Sequence, residues 1–328
     1  LLDRRGAAEE TSFGNAGLIQ REGVYPYGFP HDFGALLRYG LNRTIDAHYH
    51  PSALLDLAPF LWKYWRFAEA AAWRAEFGIN FSELDKKELQ EKEPHLAPLL
   101  VGALHWTDPV SVIDPQGLAL AYLKHFESRG GQFLQGNAIS LRQEGDGWSV
   151  RTVEGPLQAV TAVVALGPWA DVVTRALGYD LPLAVKRGYH MNYRAAGKAT
   201  LNHPVLDTER GYMLTPMQHG IRLTTGAEFA LRDAIRTPVQ LARAEPHARE
   251  LFPLAERLDN EPWMGARPCT PDMLPIIGRA PLHANLWFAF GHAHHGFTLG
   301  PVTGRLIGEL VAGEPPCVDP APYRADRF

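Results

Sequence analysis

The spacing of apolar and polar residues changes character several times along this chain. From 114 to 131 it is helical: Asp114 stands as N-cap, Pro115 opens the helix, Leu118, Leu120, Ala121 and Leu123 supply much of an apolar face, and Gly130-Gly131 ends it. Three short strands are expected next, QFLQG, AISLRQ and WSVRTVEG, the last two parted by the Gly145-Asp146-Gly147 turn. AVTAVVALG at 159–167 shows no alternation, as in a strand buried on both faces of a parallel sheet. It ends in Gly167-Pro168, and a helix over roughly 168–177 closes at Gly178. From 182 to 229 the pattern alternates like an antiparallel sheet, with GYMLTP and GIRLTTG paired around a Met-Gln-His-Gly turn. A helix is expected at about 238–251.

The first third is less regular. Leu1-Leu2-Asp3 reads as the tail of a buried strand ending in an acid, as if cut inside an element. Residues 4–34 read as loop, 35 to about 77 as aromatic helix, and 82–93 as a polar helix with Ser82 as N-cap. Parallel-type elements thus flank an antiparallel middle. The expected fold class is α/β, a Rossmann-like nucleotide domain with a second, antiparallel-sheet domain inserted into it. The expected partition is 1–34, 106–180 and 262–328 for the nucleotide domain, and 35–105 and 181–261 for the inserted one.

Composition narrows the class. With 328 residues, 46% apolar and 21% charged, the chain has the make-up of a globular enzyme. A net charge of −4 gives no footprint for nucleic acid. Cys269 and Cys317 form neither a disulfide framework nor a zinc motif, which points to a reducing, cytoplasmic compartment. PFLWKYWRF at 59–67 is apolar, aromatic and flanked by cations, which suits peripheral contact with the inner face of a membrane; burial in the core or against another subunit is the alternative.

The chemistry concentrates near the end. WMGARPCTPDMLPIIG at 263–278 sets one arginine, Arg267, in a run poor in other charges, and a guanidinium suits a carboxylate bidentately. LWFAFGHAHHGFTLGPVTGRLIGELVAG at 286–313 reads as strand, Gly/His loop and helix N-terminus, a favourable place for an anionic group.

Together with Asp3, ETSFGNAGLI at 10–19, the Asp114-Pro115 helix and VVALGPWA at 163–170, these motifs resemble the FAD-dependent oxidoreductases of the D-amino acid oxidase type, most closely the bacterial D-amino acid dehydrogenase small subunit. The resemblance implies FAD as cofactor and oxidative deamination of D-amino acids, or a related small amino acid, to imino and then keto acids. It implies a quinone or electron carrier as acceptor. Asp3 would meet the adenosine ribose, and Ser12, Asn15 and Gly17 the pyrophosphate and flavin side. Gly167 would let the second cofactor strand approach FAD, while His292, Gly296 and Gly300 line the flavin loop. Arg267 would hold the substrate carboxylate; Tyr189, Tyr212 and His295 are further candidates for substrate contact, with half-buried strand tyrosines and a loop-capping histidine as the plainer readings. No resident metal is expected. The family's opening strand–GxGxxG–helix is missing from these residues, so the chain is expected to be cropped or truncated there. Oligomeric state is open, a homo-oligomer included. Two rivals remain: a zinc amidohydrolase using IDAHYH at 45–50 and HAHH at 292–295, and an inactive remnant or subunit that binds no FAD alone.

Overall fold

A computed structural model describes residues 1–20, 32–71 and 80–328. The largest sheet has eight strands and is organised around Ala184–Ala195. That strand is long enough to take different partners along its length. Lys186 and Arg187 pair with Ala227–Phe229, and residues 190–193 with Gly220–Thr225. On the opposite edge Trp263–Cys269 pairs with residues 184–190, and Leu254–Arg257 follows. The hairpin of Tyr212–Met217 and Gly220–Thr225 forms as expected. The sheet runs across the 261/262 boundary expected from sequence, because Trp263–Cys269 is one of its strands. It also takes in Ala47–Tyr49, parallel to Ala227–Phe229, where the sequence read helix.

One face of this sheet packs on helix Val239–Leu251, burying Tyr189, Met191, Tyr212, Leu214 and Leu223 among Leu241, Ala244 and Leu251. Truncating a fully buried leucine here, such as Leu223, to alanine would cost about 2–5 kcal/mol. A second core surrounds Ala162–Val164, which lies parallel to Leu286–Phe290. A third cluster joins Phe60 and Tyr64 of helix Leu54–Ala71 to Cys269, Met273 and Ala293.

Leu2–Asp3 forms a two-residue strand parallel to Leu134–Glu144, half-buried rather than buried. Several local expectations change. QFLQG and AISLRQ merge largely into the single strand Leu134–Glu144, whose register shifts between Asn137 and Arg142. AVTAVVALG divides: Ala159 closes the strand Gly155–Ala159, and the chain re-enters a different sheet at Ala162. The polar helix starts later than Ser82, at Lys86. Asp85 caps it, accepting from the Glu88 amide at 2.8 Å, with Glu88 bonding back in a capping box. Ser82 instead sits in strand Phe81–Asp85. The helix from Pro115 to Ser128 is capped by Asp114 as expected, at 2.8 Å from the Gly117 amide. The parts of the expected loop and aromatic helix at 21–31 and 72–77 lie outside the described residues.

Candidate active site

Alternation along Ala184–Ala195 sorts its buried residues by face. Arg187, Tyr189 and Met191 turn to the core, while Lys186, Gly188 and His190 line a cavity of about 1250 Å³. Such a volume exceeds that of ordinary small-molecule pockets and suits a dinucleotide together with a small substrate.

Arg267 lies directly across the strand pair from Lys186. Its guanidinium lies against Gly188, where any Cβ would collide with it, so the glycine is what lets the arginine cross its neighbour strand. There it donates to the Gly226 carbonyl at 3.3 Å, leaving a cationic group in the cavity wall. Beside it the Trp263 ring stacks on His190, centroids 4.9 Å apart. His190 Nδ1 donates to the Gly14 carbonyl at 3.1 Å, and burial, aided by Arg222, lowers its pKa to about 3, so the ring is neutral. Arg222 donates to the Asn15 carbonyl and to Asn192 Oδ1, tying the 12–17 loop to the sheet.

Across the cavity, strand Leu286–Phe290 runs through the histidine loop into helix Gly296–Ala312. No side chain among the described residues caps this helix N-terminus, and Gly296, Phe297, Thr298 and Gly300 line the cavity. Thr298 Oγ1 donates to the Leu18 carbonyl at 3.2 Å, joining the helix to the end of the first loop. His292 bonds Thr303 at 2.9 Å, and burial lowers its pKa to about 4. The uncapped amides and the dipole of a 17-residue helix leave a positive end facing the cavity.

Of the expected site residues, Ser12, Asn15, Gly167, Arg267, His292, Gly296 and Gly300 line this one cavity. Others fall elsewhere. Asp3 is not in the wall; its carboxylate accepts the Arg5 amide at 3.0 Å. Gly17 has φ +74 and is needed for close approach to the chain's own backbone, since a Cβ would strike the Val112 carbonyl. Tyr189 and Tyr212 border the cavity, but their side chains belong to the core. The Tyr189 hydroxyl donates to Glu228 at 2.9 Å and accepts from the Thr237 amide at 2.9 Å. His295 is the N-cap residue and is not in the wall, whereas buried His294 is. Sequence reading passed over Lys186, His190, Arg222 and Trp263, and weighed His294 only as a substrate contact, a loop cap or a metal ligand; Lys186 stands beside a second cation, Arg187, and nothing local marks which of the two faces the cavity.

The segment 45–50 does bring histidines to a carboxylate. His48, His50 and Glu228 gather with ligand atoms within 4.8 Å of one another, the sole such trio among the described residues. Arg187 Nε already neutralises Glu228 at 2.6 Å, and Tyr189 and Thr237 donate to it as well. The histidines of 292–295 do not join this group, and the sheets do not form an eightfold barrel. The amidohydrolase reading is therefore not favoured.

A cationic sheet face opposite a glycine loop and an open helix terminus leaves room for an anionic cofactor edge beside a small carboxylate. The chain belongs to the FAD dependent oxidoreductase (DAO) family, whose model matches residues 1–310. It is similar to a glycine oxidase of Pseudomonas putida, 29% identical over 98% of this chain and 90% of that one. A D-amino-acid oxidase of Bradyrhizobium diazoefficiens is 28% identical over 78% of this chain, and a D-amino acid dehydrogenase of Paramagnetospirillum magneticum 33% over 64%. The matched chain spans 62% and 49% of those two relatives. In fold it is similar to the crystal structure of glycine oxidase from Geobacillus kaustophilus, with a TM-score of 0.74 over the whole of this chain and 91% of that one at 24% identity.

The lining fits FAD on the structure's own terms: the volume is sufficient, and the uncapped helix terminus offers amides to an anionic ring edge. No GxGxxG turn occurs in these 328 residues to cradle the pyrophosphate.

Proposed function

We propose that the protein, with FAD bound, oxidatively deaminates a small amino acid, in first place a D-amino acid. The observation that carries this is Arg267, held across Gly188 in the wall of the same cavity that the 296–312 helix terminus enters. The flavin supplies the two-electron acceptor for the Cα–H bond. Arg267 binds the substrate carboxylate as a fork and fixes which hydrogen is presented. His190 and His292, kept neutral by burial, add no competing charge. The helix terminus and the 292–296 loop stabilise negative charge at the cofactor edge. His292, Gly296, Gly300, Gly167, Ser12 and Asn15 are the residues placed to touch the cofactor.

A quinone or electron carrier, rather than oxygen, is the acceptor we favour, a reading supported by the D-amino acid dehydrogenase among the similar proteins. No helix among the described residues is long and apolar enough to cross a membrane. Leu55 and Trp62, 87% and 60% exposed on the aromatic helix, support peripheral attachment at the inner face of the membrane, while Phe60 and Tyr64 are core. Flotation with anionic liposomes checks this; protein left in the bottom fraction rejects it.

The test of the reaction is the visible spectrum of the purified full-length protein during anaerobic addition of single D- and L-amino acids, glycine and sarcosine. Bleaching of a flavin spectrum by one of them is expected. A flavin that none of them bleaches rejects the substrate class, and a colourless protein that takes up no FAD leaves the inactive-remnant reading.

A further inference from the structure

Lys186 is 3% exposed, yet its ammonium makes no hydrogen bond or ion pair with any described residue. It rests over the Tyr64 ring, 3.8 Å from the centroid, with the Phe229 ring at 5.6 Å. Cation–π contact of this kind offsets only part of the desolvation of a buried charge. Buried lysines are rare unless paired, and this one lies in the wall of the cavity. Its cross-strand partner is Arg267. In an antiparallel pair, directly opposite side chains share a face and begin about 5 Å apart. The cavity wall thus carries two cations side by side, more than a single carboxylate needs.

We propose that Lys186 binds a second anionic group on the substrate, so that the preferred substrate is a dicarboxylic amino acid such as D-glutamate or D-aspartate. This rests on the amino-acid reading of the cavity given above. Arg267 takes the α-carboxylate and Lys186 the distal one, and like-charge repulsion between the two cations is relieved only when the dianion is present. Burial, with a smaller contribution from Arg267, lowers the Lys186 pKa to about 8, which keeps it mainly charged near neutral pH and ready for an anion. His294, also in the wall, is held far below its usual value by burial and by both cations, and so stays neutral beside them.

The test uses the flavin-loaded full-length protein, its Lys186→Met variant and, in case methionine misfolds, Lys186→Gln. Equilibrium binding of non-oxidisable probes is read first: succinate and glutarate against acetate and propionate. The dicarboxylates are expected to bind at least about tenfold more tightly, with Lys186→Met erasing that ratio of dicarboxylate to monocarboxylate affinity. In turnover, the variant is expected to lose about tenfold to hundredfold in kcat/KM for D-glutamate or D-aspartate, mostly through KM, and little for D-alanine. Equal losses on both substrate types with a displaced pH profile would show Lys186 to be a proton acceptor and overturn the proposal. Loss of flavin from the variant would assign Lys186 to the cofactor's phosphates and overturn it too. Dicarboxylate binding that depends on Lys186 without oxidation of any amino acid would preserve the anion site and reject the reaction. Turnover of monocarboxylic amino acids alone would do the reverse.

Discussion

Arg187 and Lys186 are neighbours on one strand, and the fold treats them in opposite ways. Arg187, fully buried on the core face, has Glu228 at Nε, the Ala234 carbonyl at 2.6 Å, the Ile235 carbonyl at 2.8 Å and the Tyr189 hydroxyl at 3.1 Å. Lys186, on the cavity face, has two aromatic rings and open space. A buried charge whose hydrogen bonds are all met by the protein is structural; one left facing a cavity is held for a ligand. Tyr189 sorts with Arg187, and Gly188 with the cavity.

The largest expected effect lies on the core face. Arg187→Met strips the buried Glu228 carboxylate of its guanidinium partner and should destabilise the fold by about 3–5 kcal/mol, measured as a lowered urea midpoint. A midpoint within experimental error of wild type would end the structural assignment.

Acid should act next, through the neutral histidines. Burial lowers the pKa of His190 to about 3 and that of His292 to about 4 in the fold, against about 6.5 when unfolded. The unfolded chain therefore binds more protons below pH 6.5. Stability is complete above that value, falls as pH drops toward about 4, and levels once the folded rings protonate, at up to ~1.4 kcal/mol per pH unit for each ring. Urea midpoints between pH 7 and 4.5 check this; His190→Gln, which can still reach the Gly14 carbonyl, should give a shallower slope.

Tyr189→Phe separates the two faces. Removing the hydroxyl strips the Thr237 amide of its acceptor and should cost about 1–3 kcal/mol of stability while leaving KM near wild type. A raised KM at unchanged stability would return Tyr189 to the substrate. Gly188→Ala should do the opposite. Its Cβ displaces a side-chain end rather than backbone, so stability changes by less than about 1 kcal/mol. The shifted Arg267 should still raise KM about tenfold, read in steady-state kinetics.

What could be read from sequence was set by how local the signal is. Arg267, the hairpin around 217–220 and the Asp114 cap are carried by short motifs whose geometry is nearly self-contained. The sorting of Lys186 and Arg187 was not legible, because a strand buried on both faces shows no polar alternation to mark which face meets the cavity. The HAHH run was ambiguous for a similar reason: Ala293 takes φ +49, a turn that brings His292 and His294 to the wall and leaves His295 at the helix end. Ser82 lost its capping role because the pairing of Phe81–Asp85 with Gly102–Trp106, a long-range contact, overrode local preference. Gly17 was recognisable as a required glycine, but the close neighbour that requires it is the Val112 carbonyl.

The central claim is that Arg267 holds a carboxylate beside FAD in this cavity. The direct measurement is titration of the flavin-loaded full-length protein with acetate, read as a flavin difference spectrum, for wild type and Arg267→Met. A saturable spectral change is expected, with a Kd that rises at least ~30-fold in the variant and flavin content unchanged. Equal Kd values in the two proteins would contradict it.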